Sequence, residues 1–477
     1  MALQQHDTVF GGGASDSLLN PIVAIALIVA VVLMLILPRK YVIVPMLLLV
    51  FTIPQGQQLV LGGVHLFIAR ILILVGWLRV GRNKLSSEGA FAGGINPVDR
   101  VFFWGVMCQT VAVVLRYLQV AAMVNQLGLV LDYVGGYFLL RSLIRDEEDI
   151  HRAVKCLALV TVIVSVGMVI EQLKLRNIFG MLGGVNLVPE IREGRIRSQG
   201  PFEHELLAGT FGATLVPLFL LLWTNGKAKI IALIGLAGAT VMTVTSNSST
   251  SLLAYAAGVL AVFLWPVRKK MKLLRWGIVV ALMGLQLVMK APFWFVIQHI
   301  SLVGGSSSWH RAEIVDLFIR HFSDWWLIGT KETGSWGFGM WDTQNEFVSV
   351  GQSGGLAAFV LFIIMISRSF GRLGSARKAI EGDKKQEWFM WLLGATLFSH
   401  IVGFFGVNYF DQTKFLWFLV LVMISAATAP LLQASTVPVV APQEQPVTRG
   451  WAYPVATRAS KPSTSGRIPD PIVKRAQ

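Results

Sequence analysis

The stretch Pro21-Ile-Val-Ala-Ile-Ala-Leu-Ile-Val-Ala-Val-Val-Leu-Met-Leu-Ile-Leu-Pro38 runs for 18 residues without one charged side chain. Wound as a helix at about 1.5 Å per residue, it approaches the roughly 30 Å of hydrocarbon in a bilayer. Blocks of the same character recur as far as residue 431. Of the 477 residues, 54% are hydrophobic and 14% charged, and the mean hydropathy is +0.64; soluble domains carry roughly 25% charged residues. A soluble fold has nowhere to bury so much apolar surface. Lipid offers backbone amides no partners, and the alternating pattern of a membrane barrel is absent, so the spans must be helices. The expected fold is an all-α, polytopic transmembrane helix bundle with a large, partly helical periplasmic loop.

Helices are expected near 21–38, 41–54, 59–80, 101–124, 126–145, 153–172, 205–223, 230–244, 251–267, 275–296, 353–371, 387–405 and 413–431. That makes 13, or 12 if one of the short blocks does not span. Residues 1–20 hold no Lys or Arg, so the first block lacks the basic flank of a cleavable signal and is expected to be retained. This organisation divides the chain into an N-terminal segment 1–20, a bundle 21–431, and a Pro-rich basic tail 432–477 that lacks the makings of a core. Cys108 and Cys156 fall inside apolar blocks and are too few for a disulfide framework.

A net charge of +15 has a topological explanation before a nucleic-acid one. Lys and Arg gather in alternate connections: Arg39 and Lys40; Arg79, Arg82, Lys84 and Arg100; Arg141, Arg145 and Arg152; Lys227 and Lys229; Arg268 to Lys272; Arg368 to Lys385; and the tail. The positive-inside rule assigns these to the cytosol, with anionic lipid headgroups as their partner and no nucleic acid. The N-terminus is then periplasmic and the C-terminus cytosolic.

Two long connections remain on the outer side, 173–204 and 297–352. The first carries Lys174, Arg176, Arg192, Arg195 and Arg197 beside Glu190, Glu193, Glu203 and Glu205. Arginine is disfavoured there by the same rule, so these residues need another reason, and anion binding supplies one. In the second, Trp309, Ala312, Val315, Phe318 or Ile319, and Phe322 recur at helical spacing, and Trp325, Trp326, Trp336 and Trp341 follow. This predicts a folded lid with a helix over 308–322, lying where indole rings are favoured, at the membrane interface.

Arg70, Arg116, Asp132 and Lys290 interrupt apolar spans, where an ionisable group needs a partner or water. Antiparallel packing of the fourth and fifth helices predicts an Arg116–Asp132 ion pair. Arg70 has no carboxylate in its own span and is expected either to snorkel or to face a cavity that receives phosphate. Lys290 is near enough to a helix end to snorkel.

Three elements carry a family resemblance. Arg197-Ser-Gln-Gly200-Pro-Phe202 leads into the helix beginning near Glu205; Ser246-Asn-Ser-Ser-Thr-Ser-Leu-Leu-Ala254 forms a serine-rich turn; and the second loop holds Ser306-Ser-Ser-Trp-His-Arg311, Trp326-Leu-Ile-Gly329-Thr and Asp342-Thr-Gln-Asn345-Glu-Phe347 ahead of Gly354-Gly355-Leu356. In order and spacing over residues 195–371 these resemble the O-antigen ligase and Wzy-type O-antigen polymerase superfamily of bacteria. The resemblance implies an inner-membrane enzyme that transfers a glycan from an undecaprenyl-pyrophosphate donor to a sugar hydroxyl, without metal or other cofactor. The partners it implies are the lipid-linked glycan, a glycan or lipid acceptor, and other polysaccharide assembly proteins. On that reading Arg197 and Arg311 clamp the leaving pyrophosphate, with Arg192, Arg195 and Arg320 behind them. Gly200 then admits the ligand to the backbone, and Asn345 and Arg70 contact substrate.

One departure stands out. Where ligases of this family place a His before Asn, this chain has Gln344, which cannot take a proton at neutral pH. His310, Asp342, Glu346, Glu203 and His204 are the candidate replacements. The departure tilts the reading toward a polymerase or exopolysaccharide enzyme over a lipopolysaccharide ligase. A transporter and a non-catalytic assembly partner are the readings from other classes.

Overall fold

The computed structural model describes residues 17–61, 64–82, 90–223, 228–299 and 308–434. The first 16 residues, Lys84, Lys227, Ser306, Ser307 and the basic tail beyond 434 lie outside the described residues. The chain is an all-α polytopic bundle. Its first half comprises α1 (Pro21–Ile36), α2 (Arg39–Thr52), a hairpin of β1 (Gln58–Leu61) and β2 (Val64–Phe67), α3 (Ile68–Arg82), α4 (Pro97–Tyr117), α5 (Val120–Val130), α6 (Gly136–Leu143) and α7 (Glu147–Lys174). A second hairpin, β3 (Glu190–Arg192) and β4 (Arg195–Arg197), precedes α8 (Glu205–Trp223), α9 (Lys229–Thr245), α10 (Ser249–Phe263) and α11 (Met271–Val288). The lid holds α12 (Ser308–Arg320) and α13 (Phe322–Trp325), and α14 (Glu346–Ala379), α15 (Lys384–Phe404) and α16 (Asp411–Ala434) complete the described bundle.

Local chemistry sets these boundaries. Pro21 occupies the first turn of α1, where its missing N–H costs nothing, and the Asn20 side chain accepts a bond from Ile22 N at 2.9 Å. Asn96 and Asp99 form a reciprocal capping box at α4. Asp146 caps α7, whose first turn is Glu147, Glu148 and Asp149, favourable beside the positive end of the helix dipole.

Among the described residues, seven helical segments are long and apolar enough to cross a membrane; α1, α9 and α10 are apolar but shorter. At the centre, α8 buries nearly every residue. Gly209 makes this possible: a Cβ there would strike the hydroxyls of Ser246 and Ser251, so α9 and α10 approach closely only because it has none. One end of the bundle holds the basic pairs Arg39–Asp149 at 2.8 Å, Arg268–Glu387 at 2.9 Å and Lys269–Glu381 at 2.7 Å. The two long loops lie at the other end.

Several expectations are corrected. The block expected as a helix from 59 begins instead as the β1–β2 hairpin, pinned by a Leu18–Gln58 bridge, and turns helical only at Ile68. Gln57 ties this corner down, accepting from Asn20 N at 2.8 Å and donating to Leu182 O at 2.7 Å. The expected Arg116–Asp132 pair does not form. Asp132 sits in a π-helical turn, Leu131–Gly135, between α5 and α6, and binds Arg70 through both oxygens, at 2.9 and 2.5 Å. The extra residue of a π turn rotates the side chains around it relative to a regular helix, which is how Asp132 comes to face α3. Arg70 therefore has a carboxylate after all, and also donates to His65 O at 2.6 Å. Arg116 instead donates to backbone carbonyls of the lid and of α14.

The lid helix α12 forms as expected, but its buried face is rotated. Ala312, Ile314 and Phe318 are buried, whereas Trp309, Ile319 and Phe322 are exposed. The reason is tertiary: Phe318 stacks on Trp325 at 4.0 Å between centroids, and both rest on the start of α14 where Gly351 leaves room. Trp336 and Met340 close this small second core.

Candidate anion-binding site

The β3–β4 ribbon pairs Glu190 with Arg197, Ile191 with Ile196 and Arg192 with Arg195. Side chains alternate along a strand and directly opposed residues share a face. One face of the ribbon therefore carries Glu190, Arg192, Arg195 and Arg197, and the other carries the isoleucines. Glu193 and Gly194 make the turn, both at positive φ (51° and 72°), the geometry a two-residue hairpin favours.

Arg197 is buried and its guanidinium is fixed. Its Nη1 lies 2.5 Å from Glu205 and 3.5 Å from Glu190, while His204 Nδ1 meets the other Glu205 oxygen at 3.0 Å. Burial opposes charge on His204, but the Glu205 bond and its negative charge outweigh this and raise its pKa. Glu190, His204 and Glu205 place ligand atoms within 4.8 Å of one another, a spacing a metal could use. The Arg197 guanidinium already lies against both carboxylates, so the cluster's evident work is to hold that arginine.

The turn that follows is anchored by a residue the sequence reading passed over. Glu171, near the end of α7, accepts from Gln199 N at 3.1 Å and from Gly200 N at 3.0 Å. Asn177 donates to Gly200 O at 2.7 Å, Ser198 Oγ to Met168 O at 3.0 Å, and Ser198 N to Thr245 O at 3.1 Å. Gly200 has φ of +58°, and a Cβ would lie 3.2 Å from Met168. It is buried, so its glycine serves the turn and the packing against α7. An acidic residue at the edge of an apolar block was the available signal for Glu171. The serine-rich turn is likewise internal: Ser248 caps α10, and Thr250 donates to Gly406 O at 3.2 Å.

From the second loop, α12 brings Arg311 to the first. Its guanidinium is half-buried and has no hydrogen-bonding or carboxylate partner among the described residues. Burial pushes its pKa down to about 10, and the positive charges of Arg192 and Arg197 push in the same direction. Three arginines from two loops thus converge, and among the described residues only Arg197 is balanced by fixed carboxylates.

The remaining candidates lie elsewhere or are engaged. Arg195 is exposed on the ribbon, and Arg320 points outward in a 2.6 Å pair with Asp316. His310 lies 3.5 Å from Glu313. Gln344 has a left-handed φ of 38° and donates to Asp342 at 3.0 Å. Asn345 is buried as the N-cap of α14, accepting from Val348 N at 3.2 Å. Glu346, buried beside it, has both oxygens occupied, by Lys414 at 2.7 Å and by Tyr409 N at 2.6 Å. Lys414 went unnoticed because it stands at the edge of an apolar block, just where the last helix begins. The Glu346–Lys414 pair opens on an otherwise largely apolar cleft between α4, α14 and α16, lined by Phe102, Gln109, Tyr133 and Trp417.

Comparison of the chain with protein-family models and with curated proteins returned no match.

Proposed function

We propose that this protein is a membrane glycan transferase that moves a glycan from a lipid pyrophosphate donor, of the undecaprenyl type, to a sugar hydroxyl at the periplasmic face of a bacterial inner membrane. The observation that carries this reading is the position of Arg311, half-buried beside Arg192 and Arg197 with no counter-ion of its own among the described residues. Arg197 is buried and Arg311 half-buried, with exposed Arg192 at their edge, and like charges gathered where burial weakens screening are costly unless an anion joins them. A pyrophosphate fits this need: arginine binds its oxygens in pairs, and negative charge grows on it as the anomeric bond breaks. Fixed guanidinium groups then favour the transition state over the ground state. The prenyl chain is assigned to the bilayer side, and the apolar cleft between α4, α14 and α16 is a candidate path for it. The motif order over 195–371 points the same way.

The polymerase form is favoured because Gln344 stands where ligases carry His; transfer to a lipid or protein acceptor is the alternative within the class. Deletion of the gene followed by analysis of surface glycans separates them. Chains cut to a single repeat mark a polymerase, and full-length chains stranded on the prenyl carrier mark a ligase. Unchanged glycans would leave transport or a purely structural role in assembly. Replacing Arg311 with Ala, with the protein at its normal level, should abolish glycan assembly; persistence of assembly would refute the clamp.

A further inference from the structure

We propose that Phe338, Trp341, Asp342 and Gln344 form a sugar-binding subsite on the lid that receives the glycan. This rests on the glycan-transfer reading and names the part of the protein that recognises carbohydrate. The segment 336–341 sorts its large side chains. Trp336 and Met340 enter the small lid core, whereas Phe338 and Trp341 are 98% and 80% exposed. Two aromatic rings left in the open within four residues add nothing to that core and call for something to cover them.

The segment is held in place from below. Thr333 Oγ1 donates to Met340 O, and Trp336 N donates to Thr333 O at 3.0 Å. Its two glycines press it against α12: a Cβ at Gly337 would lie 3.1 Å from Leu317, and one at Gly339 would lie 3.4 Å from His310, the residue before Arg311. The bare rings are therefore carried against the helix that bears the arginine. In a pyrophosphate-linked glycan the sugars follow directly from the anion, so a surface on that helix is within their reach.

Polar groups complete the subsite. Directly after Trp341, the Asp342 carboxylate accepts from Gln344 N at 3.3 Å and from Gln344 Nε2 at 3.0 Å. These bonds accompany a left-handed φ of 38° at Gln344, unusual for a non-glycine residue and concentrated at functional sites. Both side chains are half-exposed, and neither has a further hydrogen-bonding partner among the described residues. Lone pairs on Asp342 and on Gln344 Oε1 are left to accept.

A pyranose matches this combination. Its face carries C–H bonds that settle on the negative face of an aromatic ring, and its rim carries hydroxyls that donate to planar acceptors. A bilayer surface is the competing partner, because indole rings favour the interface. Asp342 speaks against it: a carboxylate with unfilled lone pairs is costly beside lipid, and Phe338 has no polar tip to leave among headgroups. Gln344 on this assignment binds sugar and takes no proton, as the chemistry of an amide requires.

The test uses the full chain in lipid nanodiscs, titrated separately with inorganic pyrophosphate and with the repeat-unit oligosaccharide that mild acid releases from the strain's own prenyl-linked glycan. Trp341→Ala and Phe338→Ala should each weaken oligosaccharide binding about five- to tenfold and leave pyrophosphate affinity within about twofold of wild type. Because both rings are exposed, these variants should melt with wild type. Trp341→Tyr, which keeps a ring to stack on, should recover most of the lost affinity. Oligosaccharide binding indifferent to both alanine substitutions overturns the subsite, as does quenching of Trp341 by brominated lipid, which would place the segment in the bilayer. Wild-type protein that binds pyrophosphate but no oligosaccharide also overturns the subsite alone. If it binds neither, the glycan-transfer reading itself fails and this inference falls with it.

Discussion

Arg116 Nη1 lies 2.7 Å from the carbonyl oxygen of Gln352, and the same guanidinium reaches Ile328 O, Thr330 O and Ser353 O at 3.2, 2.9 and 3.3 Å. These carbonyls belong to two segments that meet where α14 breaks at Gly355, with φ of 69° and ψ of −169°. A Cβ at Gly355 would stand 2.6 Å from Leu327 O, so the break and the lid fit only with glycine there. Arg116 thus closes the broken helix against the lid, replacing the hydrogen bonds the kink removes.

Arg116→Ala should strip these carbonyls of a charged donor and destabilise the lid by about 2 kcal/mol or more. Limited proteolysis between Trp326 and Trp341 should accelerate, with Arg116→Lys intermediate because a point charge cannot span several acceptors. Unchanged cleavage in Arg116→Ala would show that the lid is held by its aromatic core alone.

Removing one member of the Arg70–Asp132 pair leaves a charge inside the bundle without its partner, a change worth about 3–5 kcal/mol for a fully buried pair. Both side chains are slightly exposed (12% and 18%), so the lower end applies. Thermal melts in detergent should place Asp132→Asn well below wild type, and the double variant Arg70→Met with Asp132→Leu above either single. Additive losses would show that the two residues act independently.

Anions should stabilise the protein through Arg311. With its pKa held near 10, Arg311 is charged at neutral pH, and because this value is depressed relative to the unfolded chain, the empty cluster costs stability there. That cost lessens as pH rises through 10. Inorganic pyrophosphate should therefore raise the melting temperature at neutral pH, less so above pH 10, and not at all in Arg311→Ala. A wild-type melting curve indifferent to pyrophosphate would refute the anion site.

Gly200→Ala distinguishes a turn glycine from a ligand-contacting one. Forcing a Cβ into φ of +58° against Met168 should cost about 1–2 kcal/mol of stability. If Gly200 serves only the turn, the folded fraction should retain anion affinity. A loss of pyrophosphate affinity at unchanged stability would instead place the ligand at Gly200.

The sequence by itself determined where most of the helices lie, because each is a run of local i to i−4 bonds made obligatory by an apolar block; the stretch 59–67, apolar but paired as a hairpin, is an exception. The block 205–223 matches α8 residue for residue. It also marked the two loops and their arginines by charge alone. Tertiary structure decided the partners. Arg70 and Asp132 are 62 residues apart in sequence, and their meeting depends on a π turn that no hydropathy pattern records. The buried face of α12 is set by Trp325 and Gly351 more than by its own periodicity, and Gln412 pins the start of α16 to Pro201, 211 residues away in sequence. A span follows from the free energy of its own residues in an apolar medium. A contact between spans depends on the rotation and depth of each helix, which only the packed bundle settles.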